Sequence, residues 1–157
     1  MSAFNDLLGL LLGPTREPRR GRKEEERLAA LRARRTPEVV TELADDEVFV
    51  FGSNAAGQHG AGAARAAFEN FGAEWGVGVG PTGRSSAIDT MSGFDTMLEQ
   101  IVDFLEYAQA HPETTFLVTP IGTGIAGHKV ENVAPFFQGA PVNVVLPQVF
   151  VDAFDAQ

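Results

Sequence analysis

Residues 48–64 read VFVFGSNAAGQHGAGAA, and the parsing of that run decides the fold. Val48 to Phe51 form an unbroken apolar stretch of β-branched and aromatic residues, entered after Asp45-Asp46 and closed by Gly52. A strand apolar at every position is buried on both faces, so the stretch predicts an inner strand of a sheet covered on both sides. The glycines Gly57, Gly60 and Gly62 then carry the chain through a loop into a helix, with Ala64, Ala67, Phe68 and Phe71 on one face.

A second unit repeats that order further along. Phe116-Leu117-Val118 is a short apolar strand, Pro120 to Gly127 a second glycine-rich loop, and Val130, Val133, Ala134 and Phe137 mark a short helix. Between the two units, Gly76 to Thr90 reads as a hairpin that turns at Pro81-Thr82-Gly83, with Val77 and Val79 on one arm and Ala87 and Ile88 on the other. Ser92 and Asp95 have the spacing of a capping box. The helix they open keeps Phe94, Met97, Leu98, Ile101, Val102, Leu105 and Ala108 at helical intervals until Pro112. Val142–Leu146 reads as a last strand and Gln148 to Phe154 as a closing helical turn. Strands alternating with helices in this way predict an α/β fold, a mixed or mostly parallel sheet between two helical layers.

The first 36 residues belong to a different composition. Residues 1–35 hold nine of the twelve basic residues and five of the twenty-one acidic ones, a balance of +4; the remainder holds three and sixteen, a balance of −13. Such asymmetry marks a basic arm, 1–36, appended to an acidic body, 37–157. Within the arm, Phe4, Leu7, Leu8 and Leu11 give residues 3–12 helical spacing, Gly13-Pro14 stops it, and Thr15–Arg22 reads as a linker. Lys23–Arg35 reads as a second helix, acids first and arginines last, with only Leu28 and Leu31 as an apolar edge. That thin edge means a weakly packed helix, either solvent-exposed or awaiting a protein partner.

Several classes are excluded at once. With no cysteine there are no disulfides or thiolate metal sites. A body of −13 is a poor surface for nucleic acid phosphates. The run Leu7 to Leu12 is too short to span a bilayer and its arginines follow rather than precede it, so neither a membrane span nor a secretory signal is expected, and the reading is cytoplasmic.

Glycine loops directly after buried strands, opening onto helices, suit phosphate: backbone N–H groups approach closely and the helix start adds positive potential. The body's only basic side chains, Arg65, Arg84 and Lys129, fall near these loops or the hairpin turn, as do His59 and His128. In so acidic a body they are candidates to relieve the field on an anion. Asn54 can serve a sugar hydroxyl through its amide, or hold a local turn; Thr123 has the same two uses. Histidines beside such loops hydrogen-bond more often than they hold metal, so neither a metal nor a resident cofactor is expected.

Asn54, then Gly60-Ala61-Gly62-Ala63-Ala64, then a glycine-rich hairpin, then Gly122-Thr123-Gly124-Ile125-Ala126-Gly127, resembles the macro domain family of ADP-ribose-binding modules. It is most similar to a group of short bacterial and phage macro-like proteins, over roughly residues 46–148. The resemblance implies a three-layer α/β/α fold with a mixed sheet and a ligand-binding set of Ser53, Asn54, Gly60, Ala61, Gly62, Gly122, Thr123, Gly124, Ile125 and Ala126. The first loop would face the distal ribose of an ADP-ribose-like nucleotide and the second its diphosphate, with Asp45 or Asp46 as the match for an adenine-binding acid. Hydrolytic members carry an Asp shortly after the loop glycines, where this chain has Ala64, and no Asp or Glu occurs from Val48 to Phe68. His59 and Asp89 are the substitute candidates for a catalytic base. Three functions follow: nucleotide binding without chemistry, ADP-ribosyl hydrolysis with His59 or Asp89, and a protein-interaction module that docks through residues 1–35.

Overall fold

The computed structural model describes residues 19–156, in two compact units divided between Ala33 and Arg34. In the shorter unit the described residues form one helix, α1 (Arg19–Ala33). It begins earlier than the sequence reading places it, so Arg19 to Arg22, expected in a linker, are helical. Its first turn therefore carries no acid, and only Arg32 in the last turn suits the dipole. The exposed pairs Arg27–Glu24 at 3.0 Å and Arg22–Glu26 at 3.9 Å support it, each by a few tenths of a kcal/mol. The helix expected over residues 3–12 lies outside the described residues.

The longer unit is an α/β fold. Its elements are β1 (Arg35–Thr36), β2 (Glu47–Ser53), α2 (Gly62–Asn70), β3 (Gly80–Thr82), β4 (Ser85–Asp89), α3 (Phe94–Ala110), β5 (Thr115–Val118), α4 (Val130–Val133), a 3₁₀ turn (Ala134–Phe137), β6 (Val144–Pro147) and α5 (Gln148–Asp155). The six strands lie in the order β1-β6-β5-β2-β4-β3. All neighbours are parallel except β3 with β4.

Alternation along β2 divides the core. Phe49 and Phe51 pack with Ala64, Ala67 and Phe71 of the α2 side and with Ala87. Val50 packs on the opposite face with Ile88, Phe116 and Val118, against Met97, Ile101, Phe104 and Ala108 of α3, Phe137 of the 3₁₀ turn and Phe150 of α5. The mixed sheet between two helical layers, expected from the alternation of elements, is thus present.

Four local readings differ from the structure. Arg35 and Thr36, assigned to the arm, form the edge strand β1; Thr36 is buried and its hydroxyl donates to the Val145 carbonyl at 3.0 Å. A strand of two residues leaves no periodic signal. The hairpin is real, but Pro81 pairs with Ser86 inside β3 and the chain turns at Gly83-Arg84; proline is tolerated there because β3 is an edge strand. The capping box is not formed: Gly93 occupies the N-cap without a side-chain bond, and the Ser92 hydroxyl donates to the Asp89 carboxylate instead. Phe68, placed on the buried face of α2, is 44% exposed.

Candidate functional site

β4 and β3 lie on one side of β2, and the later strands β5 and β6 on the other. The chain leaves β2 for α2 on one face and β5 for the helices of the opposite face. Loops that part in this way open a crevice at the carboxyl ends of the strands. A cavity of about 530 Å³ lies there, walled by residues 52–54 and 60–64 after β2, Thr90 and Met91 after β4, and residues 119–122 and 124–126 after β5. That volume is in the range of small-molecule sites. Trp75 lines it as well, 55% exposed, and Ile125 stands at its rim 84% exposed.

Of the ten residues expected to bind ligand, nine line this cavity: Ser53, Asn54, Gly60, Ala61, Gly62, Gly122, Gly124, Ile125 and Ala126. Thr123 does not; its hydroxyl donates to the Pro120 carbonyl at 2.7 Å and holds the loop's own turn. Asn54 also has a structural role. Its Nδ2 donates to the Gln58 carbonyl at 2.8 Å, and its Oδ1 accepts from the Gln58 amide at 3.0 Å. One amide hydrogen and one acceptor lone pair of that side chain remain for a ligand.

The loop amides are the distinctive feature. Among the described residues, those of Gly60, Ala61, Gly122, Gly124, Ile125 and Ala126 meet no protein acceptor. The first amides of α2 add to them, because its N-cap, Ala61, offers no side-chain oxygen. Donors left open on two loops of one cavity form a neutral cradle for an anion.

The cations do not take part. Arg65 is paired with Glu69 at 2.8 Å, whose hydrogen bond and charge raise its pKa above the ordinary value. Arg84 donates to the carbonyls of Leu43 and Ala44. Neither these two nor Lys129 lines the cavity. The guanidinium groups were recruited by carboxylate and carbonyl partners that sequence distance concealed.

The proposed bases are engaged too. Asp89 is buried at the end of β4, accepting from the Met91 amide at 3.0 Å and from the Ser92 hydroxyl. His59 is fully buried: its Nε2 lies 2.9 Å from the Glu74 carbonyl and its Nδ1 3.1 Å from the Ser53 hydroxyl. Neither lines the cavity, so neither reaches a ligand directly. Asp45 and Asp46 sit at the turn before β2, a seven-residue strand away from the cavity, or roughly 20 Å; they cannot serve an adenine there. Among the described residues no three His, Asp or Glu gather as a metal site, and no helix is long and apolar enough to cross a membrane.

Sequence reasoning missed Trp75 and Met91, which come to the cavity from segments read only as connections, and Thr90, which ends the stretch read as a hairpin. A lone tryptophan directly before Gly76 was the available signal. Compared with family models, with curated proteins and with solved structures, the chain matches none of them.

Proposed function

We propose that this protein is a macro-like domain that binds ADP-ribose or a related NAD-derived nucleotide in the cavity between residues 52–64 and 119–126. One observation carries the reading: the loops after β2 and β5 line one cavity, and both leave backbone amides without acceptors there. Gly122 to Ala126 would hold the diphosphate, and Asn54, Gly60 and Gly62 would border the distal ribose. The residual donor and acceptor of Asn54 match a sugar hydroxyl, which needs both. Binding is favoured over direct base catalysis by His59 or Asp89, because the polar atoms of both face protein and not the cavity.

A thermal-shift titration with ADP-ribose, NAD and AMP tests it. Ligand at 100 times its dissociation constant adds about 2.7 kcal/mol of stability. Trp75, the only tryptophan, lines the cavity, so its fluorescence should change over the same concentration range. Absence of any shift with every nucleotide at millimolar concentration overturns the proposal.

A further inference from the structure

A second cavity, of about 190 Å³, lies between the hairpin β3–β4 and α3 and shares no lining residue with the first. Along β4, Ser86 and Ile88 alternate onto the α3 face, where Ile88 packs with Ile101 and Phe104. Pro81, paired with Ser86 on the edge strand, and Val79 just before it complete this floor. Gln100, Asp103, Phe104 and Tyr107 form the facing wall, spaced along α3 so that all four share one side of the helix.

Ser86 sets the chemistry of this space. It is 5% exposed, lines the cavity, and its hydroxyl meets no partner among the described residues. A buried hydroxyl without a partner is costly, so a hydrogen-bonding group placed beside it is favoured. Gln100 adds donors: its Oε1 accepts from the Asp89 amide at 2.7 Å, which leaves both hydrogens of Nε2 unspent. Charge sets a further requirement. α3 carries Asp95, Glu99, Asp103 and Glu106 with no lysine or arginine, and Asp103 is in no ion pair among the described residues. Its exposed carboxylate favours a cation at the rim. Apolar space of ~150 Å³ is enough to hold benzene, so this cavity admits one aromatic ring with short substituents.

We infer that this cavity is a second ligand site, for a small aromatic amine whose ring carries a hydroxyl group. The ring lies between Pro81 and Phe104, the apolar surfaces of floor and wall. Its hydroxyl, donor and acceptor at once, pairs with Ser86, and its ammonium group, charged at neutral pH, faces Asp103. No bond is made or broken. The inference does not depend on the nucleotide reading, since different residues line the two cavities.

The test is an NMR titration of the isotope-labelled full chain with tyramine, phenethylamine and para-hydroxyphenylacetate. Tyramine should bind with a dissociation constant of about 1 mM or below. It should shift the amides of residues 79–88 and 100–107 and not those of 52–64 or 119–126. Phenethylamine, which lacks the hydroxyl, should bind at least about threefold more weakly, and para-hydroxyphenylacetate, an anion, at least about tenfold. Ser86→Ala should weaken tyramine and erase the difference between the two amines; Asp103→Asn should weaken tyramine about three- to fivefold. No shift at millimolar tyramine, shifts confined to the first cavity, equal binding of amine and carboxylate, or tyramine affinity unchanged in either variant overturns the inference. ADP-ribose titrated alongside reports on the first cavity alone, so failure of either reading is seen separately.

Discussion

Gly122 and Gly124 lie two residues apart in the second loop, yet only one is held there by geometry. Gly122 has φ +74°, and a Cβ on it would stand 2.7 Å from the Met97 sulfur. Gly124 has an ordinary φ and nothing within 4 Å. Gly122→Ala must therefore carry both left-handed strain and a packing shift in α3, an expected loss of about 1–3 kcal/mol. Gly124→Ala should stay within about 0.5 kcal/mol of the parent. Urea denaturation of the two variants checks this; equal stabilities would mean that the loop does not hold the conformation described. The same residue-level contrast separates Asn54 and Thr123: both were candidate ligand groups by type, and only Asn54 keeps unspent hydrogen-bonding capacity on the cavity wall.

At the scale of elements, the join between α3, β5 and β6 depends on one side chain. Asn143, buried just before β6, donates from Nδ2 to the carbonyls of Ala108 at 2.9 Å and of His111 and Thr114 at 3.0 Å. Those carbonyls close the C-terminus of α3 and lead into β5, so the amide braces a helix end and a turn that also keep their own backbone bonds, His111 N–H to Ala108 and Thr114 N–H to His111. Asn143→Ala removes the side-chain bonds, although the amides of His111 and Thr114 still reach the Ala108 and His111 carbonyls, and should cost about 1–3 kcal/mol, read as an equal drop in the urea midpoint of secondary and tertiary signals. Loss of the tertiary signal alone would place Asn143 outside the cooperative unit. Nothing in the sequence around residue 143 announces this role, and the reason is general to the chain. β2, α3 and β5 were legible because their own side chains carry the pattern: apolar runs for inner parallel strands, a long helical stripe for α3. The features that were not legible are made by partners distant in sequence. Arg35-Thr36 is a strand only because β6 lies beside it. Ser92 caps Asp89 rather than its own helix. The cavity's glycines could be read from their place after strands, whereas the Ser53–His59 contact and the diversion of Arg65 and Arg84 could not, since each depends on where a second side chain or carbonyl falls in space.

The whole molecule sets the electrostatic problem that any anion must meet. Residues 36–157 carry three basic and sixteen acidic side chains, and none of the three basic ones lines the cavity. A diphosphate would therefore be held by neutral amide dipoles inside a negative field. These two contributions respond differently to salt: dipole contacts at close range are barely screened, while repulsion from carboxylates further off weakens as the Debye length falls from about 10 Å at 0.1 M to about 3 Å at 1 M. Raising the salt should consequently leave nucleotide affinity unchanged or improve it by up to about threefold, through relief of the long-range repulsion. A site built on lysine or arginine would behave in the opposite sense, losing affinity as its attraction is screened. Titration calorimetry with ADP-ribose at 0.05 M and 0.5 M sodium chloride distinguishes the two. A tenfold weakening at the higher salt would require a cationic side chain at the phosphates and would overturn the account of the cavity as a cradle of backbone amides.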